Sequence, residues 1–422
     1  MIQTWRKTSS ELIYSPNVIK DIHMKTIDGY DVKIFTDNIE DTAIEQIRQL
    51  LSIDVFSDCK IRIMPDVHVG AGCVIGFTGN LGDKVIPNIV GVDIGCGMLV
   101  QPFICNNPID FHALNEYILR AIPSGRDFRD ENYLPLSQKY SDIYQNAKQL
   151  ILQLRCYREL KEVRRLYKSI GSLGSGNHFI ELDKDESDLY YLVVHTGSRN
   201  LGKQVADIYQ KLAVKCQSGW DKLMVEKNRI IEEYKQAGRK SELQDVIRNL
   251  HNSFKTCKLT IPQDLCYLQG QFREDYLHDM HICQCWAQIN RKLIVNLIMD
   301  FIVGKGLASS EEHFQPFESV HNYIGNDNII RKGAISARLG EKCIIPLNMR
   351  DGSLICIGKG NEDWNFSAPH GAGRIMSRSQ AFKEISLENF KKSMEDVYSE
   401  TVTEYTKDES PMVYKSKTLV SR

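Results

Sequence analysis

Residues 59–102 read CKIRIMPDVHVGAGCVIGFTGNLGDKVIPNIVGVDIGCGMLVQP. Ile61 and Ile63 alternate with basic residues, the period-two pattern of a strand. After Met64-Pro-Asp-Val-His68, short apolar runs are broken by Gly70, Gly72, Gly76, Gly79, Gly82, Gly91, Gly95 and Gly97. Glycine is tolerated inside strands where the chain bulges or where something approaches the backbone closely. The stretch is therefore expected to form strands with bulges and tight turns, packed against a ligand.

Upstream, Thr42 to Ile53 reads as a helix. Ile44, Ile47 and Leu51 recur at helical spacing, and Thr42 with Glu45 matches a capping box. Downstream, helices are expected over Pro108–Ile122 and over the amphipathic, basic-rich Ser141–Tyr167, with a polar loop at Gly125–Asn132. Ile170 to Leu182 reads as turn then strand, and Leu189–Val194 as a strand ending at His195-Thr-Gly-Ser-Arg199. Residues 202–254 are charged and helical in period, and Tyr276–Val303 is a further helix. Residues 202–303 read as a helical insertion on a β-rich core, within one α/β domain spanning 1–422. In the last third, Cys343–Leu347 and Ser353–Ile357 flank a hairpin turn at Asp351-Gly352, and Pro346 requires an edge or a bulge.

The 422 residues carry 53 Lys+Arg against 54 Asp+Glu. Composition thus announces no nucleic-acid partner, which would need a local basic face. Lysines and arginines between Lys203 and Lys240 are interleaved with acids, the pattern of a solvated surface. The start, Met1-Ile-Gln-Thr-Trp-Arg-Lys7, lacks an apolar signal core, and no apolar run approaches the ~20 residues of a membrane span. A cytoplasmic protein with no membrane partner is expected. The 12 cysteines include no CxxC pair; most are expected as small buried hydrophobes rather than disulfides.

Five residues sit at strand ends or in turns: Asp93, Cys96, His178, His195 and His321. Singly, each has a structural explanation. Together they suit one or two divalent ions, with a thiolate as bridge. Zn²⁺, Mn²⁺, Co²⁺ and Fe²⁺ all fit such a set. Two ions about 3.5–4 Å apart would stabilise the attacking and leaving oxygens of a displacement at phosphorus.

A second constellation is Asn365-Phe-Ser-Ala-Pro-His-Gly-Ala-Gly-Arg-Ile-Met-Ser-Arg378. The glycine turn after His370 is expected to feed a helix running through Phe382, with its amides, Arg374 and Arg378 turned to an anion. His370 is a candidate nucleophile, metal ligand or structural hydrogen-bonder. Asp66, in a turn with His68, either fixes a catalytic imidazole in one tautomer or caps its own backbone.

Seven ordered blocks go further. They are Met64-Pro-Asp-Val-His68, Val90–Gly97, Gly174–Glu181, His195–Gly202, Val320-His-Asn-Tyr323, Arg331-Lys-Gly-Ala334 and His370–Arg378. In order, they resemble the motifs of the RtcB family of RNA ligases, over roughly Ile61 to Lys415. Asp279-Met-His-Ile-Cys283 and Ala287-Gln-Ile-Asn-Arg291 fit as well. The resemblance implies a β-sandwich-like core with surrounding helices. It implies an enzyme that joins an RNA 3′-phosphate or 2′,3′-cyclic phosphate to a 5′-hydroxyl, using GTP and two Mn²⁺ ions, in RNA repair or tRNA splicing. Carried over, His370 attacks the α-phosphate of GTP and becomes histidine–GMP, and Asp66 orients it. Cys96 bridges the metals, with Asp93, His178, His195 and His321 completing their shells. Asn177, Glu181, His321, Asn322, Asn348, Met349, Gly371, Ala372, Gly373 and Arg374 fall among guanylate contacts. Arg199, Lys332 and Arg378 fall among RNA or phosphate contacts. An archease-type activator is a candidate partner.

The chain departs from the family pattern in three places. Val69 and Cys73-Val74 replace Pro and a Phe-Pro-like pair. Asn348-Met-Arg350 matches a Ser-Met-Gly loop only loosely. The end, Tyr414–Arg422, lacks the Lys-Gly common in the family. Two other readings keep part of the site: a metal-dependent cyclic-phosphate hydrolase, and an RNA-end-binding protein with impaired guanylylation.

Overall fold

The computed structural model describes residues 2–4, 24–254, 257–309 and 314–414. It is a mixed α/β structure with two principal sheets. The five-stranded sheet runs Ile2–Thr4, Phe179–Lys184, Leu189–Thr196, Gly97–Ile104, Phe317–Val320. The six-stranded sheet runs Asn322–Ile324, Ile329–Lys332, Ile75–Asn80, Ile61–His68, Val32–Ile34, Lys25–Thr26. Strand alternation explains the layering of the first sheet. Leu99, Phe103, Ile180, Leu182, Leu192 and Val194 face the helices Phe111–Ala121 and Gly270–Gly304. Met98, Val100 and Val193 point the other way, onto Ile344 of the hairpin Lys342–Asn348/Gly352–Ile357. Each strand thus buries one side chain in two on each face, as a sheet covered on both sides requires.

The expected Ile61 strand, the helix within Pro108–Ile122 and the Leu189 strand are all present. Four local readings change. The first helix is Asp41–Leu51, so Thr42 lies inside it; Glu40 is the N-cap, with no side-chain cap bond and no capping box. Ser141–Tyr167 is not one helix but Ser141–Leu152, a short turn Tyr157–Glu159 and Val163–Lys168. The break has a cause: Asp279 accepts from the backbone N–H groups of Arg155 (2.8 Å) and Cys156 (3.0 Å), which fixes the turn there. The hairpin turn comprises Met349–Asp351, with Gly352 paired to Asn348 and holding a φ of +62° that suits glycine. A bulge falls at Pro346–Asn348, as proline demands. The helix after His370 is Arg378–Glu384, capped by Ser377. The glycine turn therefore does not form that helix's N-terminus.

Within residues 202–303 the helices Arg199–Gln217 and Gly270–Gly304 pack into the core, whereas Trp220–Gln236 buries only Leu223 and Leu243–Ser253 buries no residue. Val205, Ala206, Tyr209, Tyr276, Met280 and Trp286 share one apolar cluster with Ile61, Ile63 and Phe77 of the second sheet. The 35-residue helix Gly270–Gly304 buries side chains on more than one face between Tyr276 and Ile302, Asp279, Asn290 and Arg291 among them. Its Asp279 is fully buried and also accepts from the Tyr209 hydroxyl at 2.8 Å. Asp279→Ala would strand the buried Cys156 N–H and the buried Tyr209 hydroxyl, and a loss of about 2–4 kcal/mol is expected, read as a lower urea midpoint. Among the described residues, no helix is long and apolar enough to cross a membrane.

Candidate active site

The five strand-end residues converge. Gly91–Gly97 leads into one strand, His178 precedes a second, His195 ends a third, and His321 follows Val320 of the fourth. Register explains the meeting: Gly97 pairs with Thr196 and with Val320, and Phe179 pairs with His195. Adjacent strands of one sheet therefore end their ladders side by side.

Two ligand groups result, and both contain Cys96. Cys96, His195 and His321 offer atoms within 4.8 Å of one another, and so do Asp93, Cys96 and His178. The Cys96 Sγ is 3.4 Å from His195 Nε2 and 3.5 Å from His178 Nε2. His195 Nε2 is 3.3 Å from His321 Nε2, and His178 Nε2 is 2.9 Å from Asp93 Oδ2. The far nitrogens are anchored. His178 Nδ1 donates to the Leu173 carbonyl and His195 Nδ1 to the Asn177 carbonyl, each at 2.9 Å. A carbonyl only accepts, so both Nδ1 atoms carry the proton and both Nε2 atoms turn a lone pair to the centre.

Burial sets the electrostatics. Desolvation, then the neighbouring His178, brings His195 down to about 3. Desolvation, then His195 and His370, holds His321 well below the usual imidazole range. Burial, then the Asp93 charge, pushes the Cys96 thiol well above its ordinary value. Neutral imidazoles and electron-rich atoms thus face one another, with the nearby Arg291 charge bound to main-chain carbonyls, an environment that suits a divalent ion.

Supports come from further out. A methyl group on Gly197 would collide with the Asp93 carboxylate, and one on Gly174 would sit 2.6 Å from His178 Nδ1. Asn290 takes the N–H groups of Gly171 and Ser172, and Arg291 donates to the carbonyls of Gly95 and Thr196. The long helix therefore holds both ligand loops. Gly197→Ala should displace Asp93 and weaken metal affinity by roughly 10–100-fold, measured by competition with a chelating dye.

His370 stands beside this centre, its ring 5.1 Å from that of His321. Its Nδ1 donates to Asp66 Oδ2 at 2.7 Å, and the carboxyl also accepts from the Gly371 N–H at 3.3 Å. The strand Ser367–Pro369, paired with Ala334–Ser336, delivers it. Nε2 is left as the free nitrogen of a carboxylate-held imidazole, the arrangement of an activated nucleophile.

The remaining expected residues divide. Asn177 exposes its side chain while its carbonyl orients His195. Glu181 is buried beside Asp183, and each has an oxygen without a partner. Desolvation, then the Asp183 charge, pushes the Glu181 carboxyl up, and desolvation raises Asp183 to about 6. Asn322 accepts from Gly333 N–H at 3.0 Å and donates to the Asp93 carbonyl at 3.3 Å, so it braces the metal loop. Asn348 closes its own turn by accepting from Arg350 and Asp351 N–H, and Met349 packs against Ala381 and Phe390.

The glycine-turn amides are largely spoken for. Gly371 N–H goes to Asp66 and Ala372 N–H to the Pro346 carbonyl, while Gly373 turns the chain at φ +78°. Arg374 points away from an incoming phosphate: it donates to the carbonyls of Met376 and Asp408 and to the Tyr414 hydroxyl. Lys332 is buried, its ammonium on the carbonyls of Ala71 and Asn88, where burial lowers its pKa. Arg199 spends Nε on Ser172 and Nη2 on the Gly125 carbonyl. Arg378 is exposed, 3.7 Å from Asp408. Asp183 has a signal in the sequence: with Glu181 it stands at period two on the apolar strand Phe179–Lys184, where carboxyls need a reason to be.

A Cys-bridgeable Asp/His cluster next to a carboxylate-held histidine is an arrangement suited to metal-assisted group transfer. The comparison with known families makes this specific. A family model described as tRNA-splicing ligase RtcB matches residues 46–422, and the chain belongs to the RtcB family. It is 30% identical over 380 residues to the RNA-splicing ligase RtcB of Escherichia coli (strain K12), covering 84% of this chain and 83% of that one. It is 24% identical over 459 residues to the tRNA-splicing ligase RtcB of Methanococcus maripaludis, covering 91% and 87%.

Proposed function

We propose that this protein is an RNA ligase that joins a 3′-phosphate or 2′,3′-cyclic phosphate end to a 5′-hydroxyl end through a histidine–GMP intermediate on His370, with GTP as donor and two Mn²⁺ ions. The observation that carries the reading is the short His370–Asp66 bond beside two ligand groups that share one cysteine. The donor set fits divalent ions: Nε2 lone pairs, a carboxylate and a buried sulfur converge within reach of one another. Asp93, Cys96 and His178 would hold one ion, and Cys96, His195 and His321 the other. Such ions supply Lewis-acid charge neutralisation at phosphate oxygens.

The side chains do the rest. Asp66 keeps the proton on His370 Nδ1, so Nε2 is the nucleophile toward the α-phosphate of GTP and pyrophosphate leaves. Imidazole also leaves well, so the guanylate passes to the RNA 3′-phosphate. The 5′-hydroxyl then displaces GMP. His321 packs against His370 and limits its rotation. Arg378, exposed at the start of its helix, remains available to RNA phosphates, whereas Lys332 and Arg374 act structurally. Glu181 and Asp183, each with a buried oxygen lacking a partner, are the candidates to pair with the N–H donors of a base.

The test is α-labelled GTP with Mn²⁺, followed by denaturation. Acid-labile, base-stable label on the chain is expected. Absence of label with metal in place would overturn the ligase reading. Release of a 3′-phosphate from a cyclic-phosphate end would then favour the hydrolase.

A further inference from the structure

One imidazole near His370 has no role so far. His68 ends the strand Ile61–His68, two residues beyond Asp66, in a part of the strand whose ladder to Ile75–Asn80 is irregular. Its position is fixed. It pairs with Ile75 across the sheet, and two residues on, Gly70 N–H donates to Gln46 at 3.1 Å, which clasps the turn to the first helix. His68 Nδ1 lies 3.0 Å from the Asp66 carbonyl, so Nδ1 carries the proton and Nε2 bears a lone pair. Among the described residues Nε2 meets no hydrogen-bond partner, and the residue is exposed to solvent.

Among the described residues, the other histidines are committed. His178, His195 and His321 turn their Nε2 atoms into the ligand groups, and His370 is held by Asp66. Glu181 and Asp183 are buried. His112, His251, His278 and His281 contact Glu400, Trp220, Asp279 and Cys285, away from this centre. The groups facing His68 are Asp66 on its own strand, and His370 and Arg374 from the glycine turn. Desolvation lowers its pKa, and the charges of His370 and Arg374 lower it further against the raising effect of Asp66. Its base form therefore predominates at neutral pH.

We propose that His68 is the general base of the sealing step, an inference that rests on the ligase reading above. Its Nε2 takes the proton of the terminal 5′-hydroxyl as that oxygen attacks phosphorus at the guanylylated 3′ end. The new P–O bond forms, the bond to GMP breaks with its electron pair leaving on GMP, and the imidazolium returns its proton to solvent.

The experiment uses the full chain with Mn²⁺ and an RNA whose 3′ end already carries GMP, so that sealing is read without the adduct step. Label transfer from GTP to His370 is measured in parallel. For His68→Ala and His68→Gln, sealing is expected to fall by roughly 10²–10⁴-fold while adduct formation stays within about threefold. The wild-type acid limb should have a midpoint below the ordinary histidine value and should vanish in both variants. Added imidazole should restore part of the sealing by His68→Ala, which a merely structural role would not allow. Equal sealing by wild type and both variants overturns the base assignment alone. A wild type that neither takes label nor seals overturns the ligase reading and this inference with it.

Discussion

His370→Ala is expected to take no label from α-labelled GTP and to seal no RNA, a loss on the order of 10⁴–10⁶-fold. The size follows from the proposed chemistry, in which the imidazole forms and breaks the bond to phosphorus. The same variant should keep its full metal content, because His370 belongs to neither ligand group. Labelled, denatured protein and atomic spectroscopy read the two quantities on one sample. Covalent guanylate on the alanine variant would show that another residue is the nucleophile. Asp66→Asn probes the support. An amide can turn its NH₂ to Nδ1 and favour the wrong tautomer, so a fall of roughly 10²–10⁴-fold is expected with metal content again unchanged.

The second large effect concerns Cys96. Both ligand groups pass through its sulfur, so Cys96→Ser should release both ions and remove activity with them. Serine keeps the shape but offers a hard, protonated oxygen at neutral pH where a thiolate would bind. His321→Ala and Asp93→Asn touch one group each, and each should lose about one ion of the two. Full occupancy in Cys96→Ser would remove the cysteine as the shared ligand. Burial and the Asp93 charge hold the Cys96 proton on the apo protein, so metal binding must displace it. Affinity should therefore rise with pH, about tenfold per unit while one proton is exchanged, and calorimetry in buffers of different ionisation heat should count that proton.

How far the sequence carried is visible residue by residue. Ile61, Ile63 and the glycines after Met64 announced bulged strands, because period two and broken apolar runs are local signals. Asp93, Cys96, His178, His195 and His321 were legible through their chemistry at strand ends, and the register of one sheet then brings them together. Arg374 and Lys332 were misleading. A basic residue in a phosphate-like motif looks the same in sequence whether it faces solvent or a main-chain carbonyl. The breaks in Ser141–Tyr167 were hidden for a related reason, since their cause, Asp279, lies more than a hundred residues away. The missing capping box is simpler: the helix begins at Asp41, ahead of Thr42.

The position of the nucleophile along the chain has a consequence for how the protein comes into being. All five ligand residues are joined by His321, when the Phe317–Val320 strand closes the first sheet, yet His370 lies about fifty residues later. At a ribosomal pace of about 5–20 residues per second, the proposed ligand set is synthesised several seconds before the proposed nucleophile. A ribosome stalled between these points would leave a product that carries the ligand residues without His370.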